Sequence, residues 1–524
     1  MSAFTEEQTS TMDQKQQEGH VETVEDNTRL SKHGVGFTFF LNALIVGCSW
    51  AMYAYDNNFT TPLVALPRFV QHYQKGKGDV LGATLFSANN LDFLSSFPLV
   101  GAAIGGFIGM PLLQKLGRKW SLQIAYVVFC TPGAIIQLCA PTIAALAIGR
   151  FWSNIGISLA NTSSGLYLSE IAPVKIRAQI IGFAIIGCNA VSILAITLVW
   201  GTEKIKDDRA FKIPFAVQLA IPVFLFLITF FVVESPTFYA LRGRMDEARK
   251  TLLKLRKNNP AAVEAEMVAL EELAVRGRDK EKARFWDILN KDNLQRTLVG
   301  ASYTSLSQVC GQVLTLTYAT VLLVQSGIED PFEITIIITV AIFLGATVGL
   351  VLLDKVGRRP IALTGFVIIF LLDISIAGLA TGGLETKPER VAMAAMFIIF
   401  GFFNAFTFQS IMLLAPSELS SVTLREASFA WAVFWMYVTA IIATFVVPQL
   451  TQAANLAARA DYIFAGCTLV TIVVTYFFLP ETRGRSLAEI DHLYAAKIPA
   501  RKWPKPGTVI PETVQEQPVQ VVAA

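Results

Sequence analysis

Leu112-Leu113-Gln114-Lys115-Leu116-Gly117-Arg118-Lys119 returns 240 residues later as Leu352-Leu353-Asp354-Lys355-Val356-Gly357-Arg358-Arg359. Two further echoes keep the order. Ser169-Glu170-Ile171-Ala172-Pro173-Val174-Lys175-Ile176-Arg177 reappears as Ser417-Glu418-Leu419-Ser420-Ser421-Val422-Thr423-Leu424-Arg425 at an offset of 248, and Glu234-Ser235-Pro236 matches Glu481-Thr482 at 247. One such match would be within chance; three in order predict two similar halves of the same orientation in a bilayer. In the first motif, glycine permits a tight turn between helices, and the flanking Lys and Arg suit a cytoplasmic headgroup zone.

Long apolar runs flank each motif. A hydrocarbon core about 30 Å thick takes roughly 20 apolar helical residues. Runs of that kind fall at 34–55, 91–113, 120–139, 142–165, 178–200 and 214–233, then at 297–324, 334–353, 360–380, 391–415, 427–449 and 462–479. The expected fold is therefore an all-α membrane protein with twelve transmembrane helices in two sets of six. Basic residues in short loops set the orientation. Lys115, Arg118, Lys119, Lys175, Arg177, Lys355, Arg358, Arg359 and Arg425 follow even-numbered spans, whereas 140–141 and 325–333 hold no Lys or Arg. Both termini are expected in the cytoplasm.

The domains expected are a disordered cytoplasmic tail at 1–33, a six-helix bundle at 34–233, a cytoplasmic linker at 234–296, a second bundle at 297–480 and a cytoplasmic tail at 481–524. The linker carries charges of both signs and helix-like apolar spacing over 245–257, which suggests amphipathic helices. The Pro/Val/Gln-rich end after Lys502 also reads as disordered, and the polar N-terminal tail shows no cleavable signal peptide.

Charged residues make up 16% and apolar residues 53% of the 524, against roughly a quarter charged in soluble domains. A net charge of +3 gives no reason to expect nucleic acid as a partner. The lipid bilayer and a small-molecule solute are the expected partners, and the chain is expected to act as a monomer. Cys48, Cys130, Cys139, Cys188, Cys310 and Cys467 all fall in apolar runs, where a thiol acts as a small hydrophobe. There is no CxxC or Cys/His cluster to hold a metal, and no nucleophile–base pair or phosphate loop, so neither a cofactor nor an enzyme is expected. His20, His33, His72 and His492 lie outside the apolar runs, which argues against a histidine proton relay.

The residues resemble the sugar porter family of the major facilitator superfamily, in the manner of fungal α-glucoside and hexose transporters, from about Ala54 to Leu493. The resemblance is carried by Tyr55-Asp56, Leu116-Gly117-Arg118-Lys119, Gly149-Arg150-Phe151, Tyr167-Leu168-Ser169-Glu170-Ile171-Ala172-Pro173 with Arg177, Lys212-Ile213-Pro214-Phe215, Glu234-Ser235-Pro236, Gly243-Arg244, Gln308 with Gly311, Asp354 to Arg359, and Pro480-Glu481-Thr482-Arg483-Gly484-Arg485-Ser486-Leu487. It implies the major facilitator fold, alternating access and, in many members, proton symport. The chain departs from the pattern at Gln114, where the family has Asp, and at Ile185, where relatives carry a sugar-binding amide. It departs again across Ser307-Gln308-Val309-Cys310-Gly311-Gln312-Val313, which loses one Gln and an Asn, and across Thr407-Phe408-Gln409-Ser410-Ile411-Met412-Leu413. These losses disfavour an ordinary hexose.

A charge within a span costs at least ~2.5 kcal/mol, so each invites a reason. Asp56 and Arg150 match the family's acidic residue of the first helix and arginine of the fourth, and form the candidate proton-coupling pair; the bland reading is a static ion pair. Asp373 reads as a peripheral carboxylate, satisfied or snorkelling. For substrate, Gln308 and Gln312 stand one turn apart on one helical face, joined by Tyr318, Asn189, Asn404, Gln409 and Trp435; each is also a fair candidate for interhelical glue. Arg118, Glu170, Arg177, Asp354, Arg358, Glu418 and Arg425 are candidate gate residues, whose ion pairs would hold one face of the bundles shut and break as they rock apart; topogenic charge is the plainer alternative.

The expected function is secondary active transport of a sugar, oligosaccharide or polyol with a proton, at the plasma membrane. The rival readings are a carrier or exporter of a polar non-sugar metabolite and a non-transporting nutrient sensor. A sensor would usually carry a long signalling tail, whereas about 45 residues follow the last span.

Overall fold

A computed structural model describes residues 36–504, except 75–85, 174–175, 258, 261–262, 265, 269, 272–284, 329, 410, 412–417, 421–423, 455, 486 and 497. The side chains of Arg177, Asp354 and Arg425 lie outside the description, as do both chain ends that read as disordered.

The first half comprises α1 (Phe37–Leu63), α2 (Ala88–Leu116), α3 (Arg118–Leu138), α4 (Ile143–Ile171), α5 (Arg177–Glu203) and α6 (Arg209–Thr229). The second comprises α7 (291–325), α8 (Pro331–Val356), α9 (Arg358–Thr381), α10 (Lys387–Gln409), α11 (Arg425–Pro448) and α12 (Asp461–Phe478). These runs become helices because a backbone in hydrocarbon must satisfy its own N–H and C=O groups. Phe37, Phe107, Phe183, Leu194 and Phe224 are more than half exposed on the bundle's outside, the surface that lipid covers.

The halves repeat in packing as well as in sequence. Helix α2 packs on α4 and α1 on α5; correspondingly α8 packs on α10 and α7 on α11, while α3 with α6 is matched by α9 with α12. The halves meet along α2–α11 and α5–α8, which exchange under the same two-fold relation. Gln449, just after α11, donates to Asp92 Oδ2 at 2.5 Å and to Asn89 Oδ1 at 3.3 Å, tying that end of α11 to α2.

After α6 the chain forms a short helix, Met245–Leu255, that buries Ala248, Thr251, Leu252 and Leu255. Arg256 fixes this linker to the first half: its guanidinium donates to the Ile171 carbonyl at 2.9 Å and lies over the Phe39 ring.

Eleven helices among the described residues are continuous enough to cross a bilayer; the exception is α7. Its helix runs Lys291–Ser307, then Cys310 (φ −96°, ψ 52°) and Gly311 (φ +73°, ψ −10°) leave helical geometry before Ala319–Gln325 resumes. The expectation of an unbroken seventh span is corrected here. Gly311 is needed twice over, for its positive φ and because an added Cβ would stand 2.7 Å from Asp373 Oδ1. Gly311→Ala is expected to destabilise the protein by about 2 kcal/mol or more, lowering its melting midpoint in detergent. A midpoint equal to the parent's would mean that the break is not held by this residue.

Candidate transport site

At the end of α2, Gly117 (φ +95°) turns the chain into α3, and the first amides of α3 emerge without intrahelical partners. The Glu234 carboxylate takes them: Arg118 N donates to Oε1 at 2.9 Å and Lys119 N to Oε2 at 3.1 Å. Burial pushes the Glu234 carboxyl up, and the Ser235, Arg118 and Lys119 amides, with the Arg118 charge, pull it back. The Arg118 guanidinium donates to Glu170 Oε1 at 2.5 Å, and Ser235 Oγ donates to the other Glu170 oxygen. Three motifs far apart in sequence thus close into one charged knot joining α3, the end of α4 and the chain after α6.

The second half repeats the knot. Gly357 (φ +113°) precedes α9, whose amides at Arg358 and Arg359 donate to Glu481 Oε1 and Oε2 at 3.0 and 3.1 Å. Arg358 Nη2 donates to Glu418 Oε1 at 3.0 Å, and Thr482 Oγ1 to Glu418 Oε2 at 2.6 Å. A Cβ at either glycine would press on the capping glutamate, so the turn and its carboxylate are fitted to one another. Each of these ion pairs lies within one half. Glu234, Ser235, Glu481 and Thr482 were visible in sequence only as an echo; their capping role needed the folded loops.

Asp56 is 1% exposed in α1. Its Oδ2 lies 3.6 Å from Arg150 Nη2 and accepts from Asn154 Nδ2 at 3.1 Å, and its Oδ1 accepts from Gln218 Nε2. The structure thus joins Asp56 and Arg150, the pair expected from sequence, and adds two residues that the reading missed. Asn154 stands one turn beyond Arg150, and Gln218 is the lone amide in its apolar run, signals that could have singled them out. Arg150 Nε and Nη1 are buried without a partner among the described residues. A cavity of about 10 Å³, lined by Asp56, Gln218, Ser153 and Cys130 among others, opens beside the carboxylate.

The substrate candidates are more dispersed. Because the backbone leaves the helix between them, Gln308 and Gln312 do not share a face of a regular helix, and the one-turn argument for pairing them fails. Gln308 is half-buried, with its amide 3.4 Å from Ser307 Oγ, while Gln312 Oε1 is buried without a partner among the described residues. Asn404, at the end of an α10 segment that packs on the broken part of α7, is fully buried, and both its amide atoms lack a partner among the described residues. Tyr318 donates to the Thr444 carbonyl at 3.3 Å and so serves α7–α11 packing. Asn189 and Gln409 are half-buried; Trp435 is 39% exposed and packs edge-on against Trp431.

Asp373 is not peripheral. It is wholly buried, accepting from Thr468 at 2.9 Å with one oxygen while the other faces Gly311. Asn58 of α1 is likewise engaged, donating to the Ala54 carbonyl at 2.8 Å and Ser192 Oγ at 2.9 Å.

Two matched six-helix halves, with a buried carboxylate set against an arginine in one and a broken helix carrying amides in the other, define a multi-pass membrane solute carrier. Residues 41–494 match the family model described as "Sugar (and other) transporter", and the chain belongs to that family. Its members are transporters, not enzymes. The chain is 26% identical over 478 residues to the major facilitator-type transporter ecdD of Aspergillus rugulosus, covering 87% of this chain and 88% of that one. It is 25% identical over 481 residues to the low-affinity glucose transporter HXT1 of Saccharomyces cerevisiae, covering 89% and 83%. The fold is similar to the inward-open xylose transporter XylE of E. coli, with TM-score 0.71, 19% identity, and 87% and 99% of the two chains covered. A structure of the proton:xylose symporter XylE bound to 6-bromo-6-deoxy-D-glucose gives 0.70 at 19% identity, with 87% and 99% covered.

Proposed function

We propose that this protein carries a sugar, oligosaccharide or polyol across the plasma membrane by alternating access, with Asp56 taking and releasing the coupled proton. Three buried amide atoms without partners among the described residues carry the substrate half of this reading: Gln312 Oε1, Asn404 Nδ2 and Asn404 Oδ1. An unsatisfied buried polar atom costs about 1–3 kcal/mol. A hydroxyl-rich solute, offering donors and acceptors on every carbon, would satisfy such atoms on entering between the halves. Relatives that include a glucose transporter and a proton:xylose symporter support the same class.

Asn154 and Gln218 take up the Asp56 carboxylate as donors, and Arg150 balances its charge. If α4 shifts against α1 within the first half so that Arg150 moves away, the carboxylate keeps its place only by gaining a proton, because an unpaired buried charge is costly. With both termini cytoplasmic, the two charged knots sit at the cytoplasmic ends of their halves and the Gln449–Asp92 contact at the outer end. Glu170, Arg118, Glu418 and Arg358 then act as latches that hold each half's cytoplasmic loops in shape while the halves tilt. Arg177, Asp354 and Arg425, the other gate residues expected from sequence, stand at the ends of α5, α8 and α11 beside these latches.

The test is counterflow in proteoliposomes of the purified protein against labelled glucose, maltose, a polyol and a panel of organic acids and amines. At least one hydroxyl-rich solute is expected to exchange, with Gln312→Ala raising its half-saturation about tenfold. Exchange confined to acids or amines would replace this reading with a carrier of a polar non-sugar metabolite, the rival that Ile185 and the lost amides of α7 favour.

A further inference from the structure

A cavity among the described residues lies outside the transport path. It measures about 750 Å³ and opens where α2 turns into α3 beneath α6 and the linker. That volume falls within the range of small-molecule sites. Five basic residues line it: Lys115, Lys119, Arg242, Arg244 and Lys254. Glu234, the carboxylate on its wall, is spent on backbone amides.

The cations differ in what occupies them. Arg242 donates to the Lys115 carbonyl at 2.5 Å and the Gln114 carbonyl at 3.0 Å, Lys119 donates to the Phe230 carbonyl at 3.0 Å, and Arg244 pairs with Glu247. Lys115 and Lys254 are exposed and make no ion pair among the described residues. At the mouth, Trp120, Phe230 and Phe231 are 59, 54 and 72% exposed, at the ends of spans α3 and α6. A cationic floor under an apolar rim at membrane depth complements a ligand with an anionic head and acyl chains.

Among the described residues, the second half does not repeat the Arg242 and Arg244 part of this lining. At the offset that relates Glu234 to Glu481, Arg242 and Arg244 correspond to Glu489 and Asp491. There the chain's own end closes over the loops: Arg485 pairs with Glu489 at 2.5 Å and lies 5.4 Å from the Trp503 ring, and Arg501 lies over Phe477. General attraction of basic loops to a charged bilayer would act on both halves, so it does not account for a pocket built in one.

We propose that this first-half pocket binds the phosphorylated headgroup of an anionic phospholipid in the cytoplasmic leaflet, with Lys115 and Lys254 as its main charge contacts. Lipid held there would brace the α2–α3 turn against the linker, next to the Arg118–Glu170–Glu234 knot. The leaflet rests on the orientation proposed above, but binding in detergent does not depend on orientation or on transport.

The test is native mass spectrometry of the full-length protein in detergent, titrated with dioctanoyl phosphatidylinositol 4-phosphate, dioctanoyl phosphatidylcholine or soluble inositol phosphate. One saturable site for the anionic lipid is expected, with little for phosphatidylcholine. The double variant Lys115→Gln/Lys254→Gln should weaken it about tenfold or more without moving the lipid-free melting midpoint, since both side chains are exposed. Lys355→Gln, the second-half counterpart of Lys115, should leave binding unchanged. Undiminished binding in the double variant, an equal loss in Lys355→Gln, or equal binding of phosphatidylcholine would overturn the proposal. Soluble inositol phosphate binding as tightly as the lipid would overturn the lipid source in favour of a free phosphate ester.

Discussion

Asp56→Asn is expected to abolish uphill accumulation driven by a pH gradient while leaving counterflow of the same solute. The amide keeps the shape and can still meet Asn154 and Gln218, but it cannot gain or lose a proton at any attainable pH. It also leaves the Arg150 guanidinium, whose Nε and Nη1 have no partner among the described residues, as an uncompensated buried cation. Breaking a buried pair from one side costs about 3–5 kcal/mol, so a lower melting midpoint should accompany the loss of coupling. The double variant Asp56→Asn/Arg150→Gln removes both charges and should regain most of the stability without regaining accumulation. Proteoliposomes with an imposed pH gradient, alongside melting curves for the three proteins, read both effects. Full accumulation in Asp56→Asn would remove this residue from coupling and reduce the pair to a static brace.

Glu234→Ala is expected to be the most destabilising change at the cytoplasmic loops, with Glu481→Ala close behind. Each carboxylate caps a helix by accepting from two successive amides, Arg118 and Lys119 in one half, Arg358 and Arg359 in the other. A hydrogen bond to a charged group contributes about 1.5–3 kcal/mol, and the α3 and α9 N-terminal partial charges add to it. A loss of roughly 3 kcal/mol or more follows for either variant, read as a fall in the melting midpoint in detergent. Glu234→Gln retains one acceptor oxygen and should fall between parent and alanine. Because Glu170 remains tied to Arg118 at 2.5 Å, the knot should loosen without coming apart, and transport should slow before the protein fails to assemble. A midpoint within a degree of the parent's for Glu234→Ala would show that water replaces the carboxylate without cost.

The repeated motifs were the most legible part of the chain, because a loop between two spans must place its charges on the same side in both halves. Spans were legible for a similar reason: a run such as 334–353 has no other way to satisfy its backbone in lipid. The candidate site was legible only in part. Asp56 and Arg150 announced themselves by the cost of charge in apolar surroundings, but Asn154 and Gln218 are cheap enough in a helix to pass as glue. The pairing of Gln308 with Gln312 failed because periodicity assumes a continuous helix, whereas the backbone bends at Cys310 and Gly311. Asp373 passed as peripheral because one residue's letter does not say which neighbour, Gly311 or lipid, lies across from it.

By itself, then, the sequence determined that this is a membrane chain of two like-oriented helical halves, and where its loop charges fall, since hydrophobic length and basic residues act locally along the chain. Only the tertiary structure decided which carboxylate caps which helix, which amides surround Asp56, where α7 breaks, and that the first half keeps an open basic pocket between α2, α3, α6 and the linker. Those outcomes depend on distances between residues remote in sequence, as with the 2.9 Å from Arg118 N to Glu234 Oε1. No periodicity along a single helix encodes such a distance.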